Sequence, residues 1–166
     1  PGFYQLLVKV KDRSRKEHHF KTKFKDHAMF VVDSSLQVPM PDPKLNDKTV
    51  AGIDSDGDGI RDDIQRWINE KYADKPRTKM AIKQLAMSKQ LDLISVSDKA
   101  QSIIAGREML DDLDCLSYVV GNEQLDNINR EIKYKMLNTK DRQYAEIKAN
   151  ANFSGLSIPV RYKEED

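Results

Sequence analysis

The sequence predicts a mainly α protein: an antiparallel bundle of about five helices, preceded by a basic β-hairpin and a proline-rich strap. Three observations carry this. From Asp62 onward apolar residues recur at helical spacing almost to the end of the chain. The connections between those stretches are two to five residues long, which sets successive helices antiparallel. Near the start, apolar and polar residues alternate with a period of two, the pattern of a half-buried strand.

The chain has 166 residues, 39% hydrophobic and 33% charged, enough for one ordinary domain, or a domain plus an appendage, with a real core. Mean hydropathy is −0.70, and no stretch approaches the roughly eighteen apolar residues of a membrane span. A net charge of +1 argues against a general nucleic-acid binder, which would carry a marked basic excess. A single cysteine, Cys115, excludes an intrachain disulfide framework and multi-cysteine zinc patterns.

Residues 1–33 form the first segment. Phe3 to Lys11 alternates around Leu6, Val8 and Val10, and His18 to Val32 alternates Phe20, Thr22 and Phe24 with lysines before an apolar run, Ala28–Val32. A hairpin or short meander is expected. Residues 1–30 hold eight basic and three acidic side chains, a local charge of +5 that reads as a solvated basic hairpin. Phe3–Val8 is too short and interrupted for a signal-peptide core, so it argues neither for nor against export. Residues 34–52 carry Pro39-Met40-Pro41-Asp42-Pro43, alternating prolines that favour extended polyproline II geometry, hence a linker or a strap across a surface.

Residues 53–152 hold an acidic loop and the bundle. Ile64, Trp67, Ile68 and Tyr72 make one helical face. Pro76 suits the first turn of a second helix, to about Ile94, with Met80, Leu85, Leu91 and Ile94 inward. Ser97 is expected to cap a third, whose Ile103, Ile104, Leu110, Leu113, Leu116 and Val120 form the longest apolar stripe, ended by Gly121. Asn122 opens a fourth with Leu125, Ile128, Ile132 and Met136 inward, and Thr139 opens a fifth. Residues 153–166 are expected as an extended tail or final strand.

One motif carries chemistry. Asp54-Ser55-Asp56-Gly57-Asp58-Gly59-Ile60-Arg61-Asp62-Asp63 spells D-x-D-x-D-G-x-x-D-D. Calcium is a hard cation that takes about six to eight oxygens, and carboxylates at alternate positions converge on one point if glycine lets the backbone curl. Asp54, Asp56 and Asp58 then fill loop positions 1, 3 and 5, the Ile60 carbonyl position 7 and Asp62 position 9. Position 12, a bidentate Glu in a full EF-hand loop, is Gln65, so Asp62 or Asp63 is expected to close the sphere. The bland alternative is an acidic turn whose Asp62 and Asp63 favour the positive end of a helix. Five Asp in ten residues repel one another without a cation, which weighs against it. Magnesium fits less well, because it takes few carboxylates and keeps its waters.

Gly52 to Ile68, GIDSDGDGIRDDIQRWI, resembles the calcium loops of thrombospondin type 3 repeats and of dockerin-like and EF-hand-like modules. It also resembles a loop of bacterial exported and lipoprotein-like proteins of unknown role. The resemblance covers seventeen of 166 residues and implies a cation site and little else. Such families use the loop where calcium is abundant, which implies a periplasmic or extracellular location.

Weaker groupings have simpler readings. His18, His19 and His27 match no justified zinc spacing, and neighbours on a strand face opposite ways. Cys115 reads as a small core hydrophobe. Glu108, Asp111, Asp112, Asp114, Glu123 and Asp126 read as a solvated helix face, and Trp67 as a core anchor. The expectation is a non-enzymatic, calcium-binding helical protein with a structural Ca2+ site and a protein partner, without nucleic acid and without a transmembrane segment. The alternatives are a calcium-responsive sensor, or a hydrolase using the acidic or histidine clusters.

Overall fold

The structure, a computed structural model, describes residues 38–156 in full and residues 3–11 and 17–25 as backbone. The chain divides into two compact units, residues 1–36 and 37–166. In the first, strands β1 (Phe3–Lys11) and β2 (Glu17–Lys25) pair antiparallel, with Phe3 opposite Lys25 and Lys11 opposite Glu17. His27, the apolar run Ala28–Val32 and the tail beyond Leu156 lie outside the described residues.

The second unit is mainly helical, a bundle of α1 (Pro43–Asn46), α2 (Asp62–Lys71), α3 (Pro76–Ile94), α4 (Lys99–Val120), α5 (Asn122–Met136) and α6 (Lys140–Asn152). The proline-rich segment is not extended throughout. Asp42 accepts from the Lys44 and Leu45 amides (2.7 and 3.4 Å) while Pro43 takes the first helical position, and the two together nucleate the single turn of α1. The other boundaries fall close to the periodicity, with one correction. The cap of α4 is Asp98, which accepts from the Ala100 and Gln101 amides at 3.0 and 3.1 Å; Ser97 lies one residue too early. Thr139 caps α6, and Gly121, at φ 79°, separates α4 from α5.

The core gathers Ile60, Ile64 and Ile68 with Ile82, Leu85, Leu116, Ile132 and Met136. Ser102 donates to Asp92 (3.2 Å) and Lys89 reaches the Met109 sulfur (3.6 Å). Numbers fall along α3 as they rise along α4, so these two helices run antiparallel. Their contact stripe differs from the expected one. Met80 and Ile94 are exposed (68% and 47%), as are Ile104 and Leu110 (50% and 37%), while Ala81, Ala86, Ser102, Ala105 and Gly106 are buried. These small residues share the buried face with Ile82, Leu85, Leu93 and Leu116, so the stripe mixes small and large side chains. A Cβ on Gly106 would lie 1.9 Å from the Phe153 ring, which brings the end of α6 onto α4. Cys115 is exposed, not a core residue, because Leu116 takes the inward position beside it.

Two buried arginines tie the strap and α2 to the bundle. Arg142 donates to the carbonyls of Asn46, Thr49 and Val50 and to the side chains of Asp47 and Asn138. Arg61 donates to the Lys135 and Met136 carbonyls, which the last turn of α5 leaves without helical partners. Gly52 sits against this arrangement at φ 68°, and a Cβ there would lie 2.3 Å from Arg61 Cδ, so both its dihedral and its space require glycine.

Candidate metal centre

Residues 54–60 curl as the motif requires. Asp54 accepts from the Gly57 amide on Oδ1 (2.8 Å) and from the Gly59 amide on Oδ2 (2.9 Å). Asp56 accepts from the Asp58 amide at 3.3 Å, and Asp58 from the Ile60 amide at 2.9 Å. Gly57 and Gly59, at φ 72° and 85°, supply the left-handed turns. One oxygen from each of Asp54, Asp56 and Asp58 lies within 4.8 Å of the others, which brings three carboxylates to one point on a half-exposed surface.

The base of the loop is fixed to the fold. The Asp62 amide donates to the Ile53 carbonyl and the Ser55 amide to Asp62 Oδ1, both at 2.8 Å. Ile53 in turn donates to the Asn46 side chain at 2.9 Å, linking the loop to α1. The Ile60 side chain is buried in the core and holds the far end.

The remaining candidates separate. Asp62 is fully buried: its Oδ1 serves Ser55, and its Oδ2 meets no hydrogen-bond donor. Asp63 faces Arg61, which donates Nε and Nη2 to its two oxygens at 2.5 and 2.9 Å, so Asp63 stands outside the cluster.

Gln65, which the sequence marks only as a departure from the glutamate of position 12, joins the cluster. Its Nε2 donates to Asp56 Oδ2 at 2.9 Å and to Asp58 Oδ2 at 2.6 Å. It is 5% exposed, and its Oε1 is buried without a partner. The signal was its position, eleven residues after Asp54 and one helical turn beyond Arg61. Lys83 adds a weaker contact, its Nζ 3.9 Å from Asp58 Oδ2. The Gln65 amide holds the Asp56 carboxyl below its ordinary range, whereas burial pushes Asp58 upward.

The other candidates are dispersed. His18 and His19 lie on β2, and the acids of α4 and α5 sit along the two helices. Asp112 is half-buried, and burial raises its carboxyl. Trp67 packs at the edge of the core, edge-to-face with Tyr72 at 6.0 Å between ring centroids. No helix among the described residues is long and apolar enough to cross a membrane. Comparison with known proteins adds no relative: no family model matches the chain, and no curated protein or solved structure matches it.

Proposed function

We propose that the Asp54–Asp58 loop binds a divalent cation, calcium by the character of its donors, and that the ion is structural. The supporting observation is Gln65. An amide side chain presents nitrogen to two carboxylates when it is their nearest counter-group, and here that leaves its own oxygen buried and unpartnered. With a cation between the carboxylates, a half-turn of the same amide brings Oε1 to the metal at no change in volume. Gln65 then supplies at position 12 the oxygen that a glutamate supplies in a full EF-hand loop.

Asp54, Asp56 and Asp58 would hold the ion with Gln65 and the Ile60 carbonyl, and Asp62 would support the loop from below through Ser55. Calcium suits a set rich in carboxylates with a carbonyl and an amide oxygen. Its role follows from where the loop is tied: neutralising three acids fixes the junction between α1 and α2. A sensor opens a pair of helices around its loop, and here the entering side is the single turn of α1. In this reading the chain works as a binding protein outside the cytosol, where calcium is abundant enough for a site of modest affinity.

Calorimetric titration of calcium into chelator-stripped protein tests this, beside Asp56→Ala, Gln65→Leu and Gln65→Glu. Binding that Asp56→Ala abolishes, Gln65→Leu weakens and Gln65→Glu tightens supports the site. Absence of binding heat and of any melting shift at millimolar calcium would discard it.

A further inference from the structure

On the side of α2 that carries Trp67, an open groove of about 960 Å³ runs between α2 and α5. Its apolar surface comes from Ile64, Trp67, Leu137, Tyr134 and Met40, of which Tyr134 and Met40 are 82% and 65% exposed. The charges around it do not balance. Both acids in the wall are engaged: Asp63 by Arg61, and Glu70 by Arg66 at 3.3 Å. Of the cations, Lys133 pairs with Glu146 at 2.9 Å. Arg130 and Lys135 meet no carboxylate among the described residues, and Lys135 Nζ stands 5.2 Å from the centre of the Trp67 ring.

We propose that this groove is a docking site for an acidic peptide segment of a partner protein, anchored by an aromatic or large aliphatic side chain. The charge complement is the ground for choosing this occupant. Two cations without a carboxylate partner among the described residues line the groove beside its apolar surface, so the fitting ligand brings carboxylates next to an apolar group. The groove is open and lies between two helices, where a segment of chain can be laid, and its aromatic and arginine content is that of an interface centre. A nucleic acid fits less well. Residues 38–156 carry eighteen basic and twenty acidic side chains, without the basic excess that binding a long polyanion calls for. Lys135 above Trp67 also gives an incoming carboxylate a partner beside the ring, so polar and apolar contacts form together.

The chain has one tryptophan, and it lies in this groove, so its fluorescence reports occupancy directly. A displayed library of random twelve-residue peptides is selected on the intact protein, with counter-selection on the double variant R130E/K135E. Enriched sequences are synthesised and titrated while Trp67 emission is followed. The expected result is enrichment of Asp and Glu around Phe, Leu or Ile. Emission should change in a saturable way, affinity should fall at least tenfold in R130E/K135E, and it should weaken as salt rises. Tyr134→Ala, an exposed change that leaves the charges alone, should weaken the same peptides severalfold. Circular dichroism of each variant confirms that the helices are retained. The proposal fails if nothing is enriched, if enriched peptides bind R130E/K135E equally well, or if a dT12 oligonucleotide quenches Trp67 at lower concentration than any enriched peptide.

Discussion

Around Arg142 five acceptors converge on one guanidinium; of the neighbouring carboxylates Asp54, Asp56 and Asp58, the last two share one amide and Asp58 has a lysine 3.9 Å away. Both regions hold the same stretch of chain, since Arg142 binds the carbonyls that follow α1 and the acidic loop begins at the end of that strap. They differ in who supplies the opposite charge. Arg142 is fully buried, and its donors are matched by protein groups, so its cost of burial is met inside the fold. The acidic loop is half-exposed, and its protein partners leave a net negative point beside an unpartnered amide oxygen. A charge that the fold satisfies is a device of assembly. One that it leaves unsatisfied at the surface, with a backbone curled around it, is what the proposed cation would neutralise.

The sharpest way to break this contrast is to remove the arginine. Arg142→Ala leaves the Asn46, Thr49 and Val50 carbonyls and the Asp47 carboxylate without their donor, and should cost about 3–5 kcal/mol of stability, as breaking a buried charged network does. Urea denaturation checks it; a loss under about 1 kcal/mol would show that water replaces the guanidinium and that the strap is held by other contacts. The loop should respond in the opposite sense, to addition instead of removal. Calcium at about 100 times its dissociation constant should stabilise the protein by roughly 2.7 kcal/mol, and Asp56→Ala should erase the gain. Calcium should leave the penalty of Arg142→Ala unchanged if the two regions act independently, and reduce it if the ion and the arginine hold one element.

The sequence made some of this legible and hid the rest for physical reasons. Pro76, Gly121 and Thr139 act within one helical turn, so the starts of α3, α5 and α6 could be read from single residues. The D-x-D-x-D-G spacing likewise acts locally, and the convergence of Asp54, Asp56 and Asp58 follows from it. Asp63 shows the limit. Its neighbour Arg61 takes it because Arg61 is drawn inward by the end of α5, a contact across seventy-four and seventy-five residues that no local pattern contains. Gln65 was hidden by type: an amide at position 12 looks like a lost glutamate until its nitrogen is seen between two carboxylates. The exposed Met80 and Ile104 mark a third limit. Both α3 and α4 have apolar residues at several azimuths, and the buried face mixes Leu85 and Leu116 with small residues such as Ala86 and Ala105, which hydropathy alone does not single out.

A third buried charge tests how complete the compensation must be. Asp92 is 8% exposed and has one hydrogen-bond donor, Ser102, with Lys89 nearby. Burial raises its carboxyl above the ordinary range despite both. The native state therefore binds a proton more tightly than the unfolded chain does. That contribution to stability is fully present below the unfolded value of 3.8 and is lost as pH rises through the raised folded value. Asp92→Asn, neutral throughout, removes the dependence. Urea midpoints of the two proteins across mild acid should show the wild type gaining on the variant as pH falls through that window. Parallel curves would mean that Ser102 and Lys89 compensate Asp92 as fully as the strap compensates Arg142.

The smallest effect separates the loop's own charge from the fold's response to it. Lys83 and Asp58 form a half-exposed pair at 3.9 Å, with side chains 29% and 32% exposed, a contact worth less than about 1 kcal/mol. Lys83→Met should accordingly change the stability of the calcium-free protein by no more than about 0.5 kcal/mol. Calcium affinity should move the other way. A lysine that leans on Asp58 competes with a cation for the same oxygen, so its removal should tighten binding by about twofold to threefold, the equivalent of roughly 0.5 kcal/mol. Calorimetry of the two proteins at low salt, where exposed charges are least screened, gives the best chance of resolving it. Weaker binding in Lys83→Met would assign the lysine a supporting role, holding Asp58 in place for the ion. The acidic loop would then resemble the arginine hub, with its charges arranged by the protein before any ion arrives.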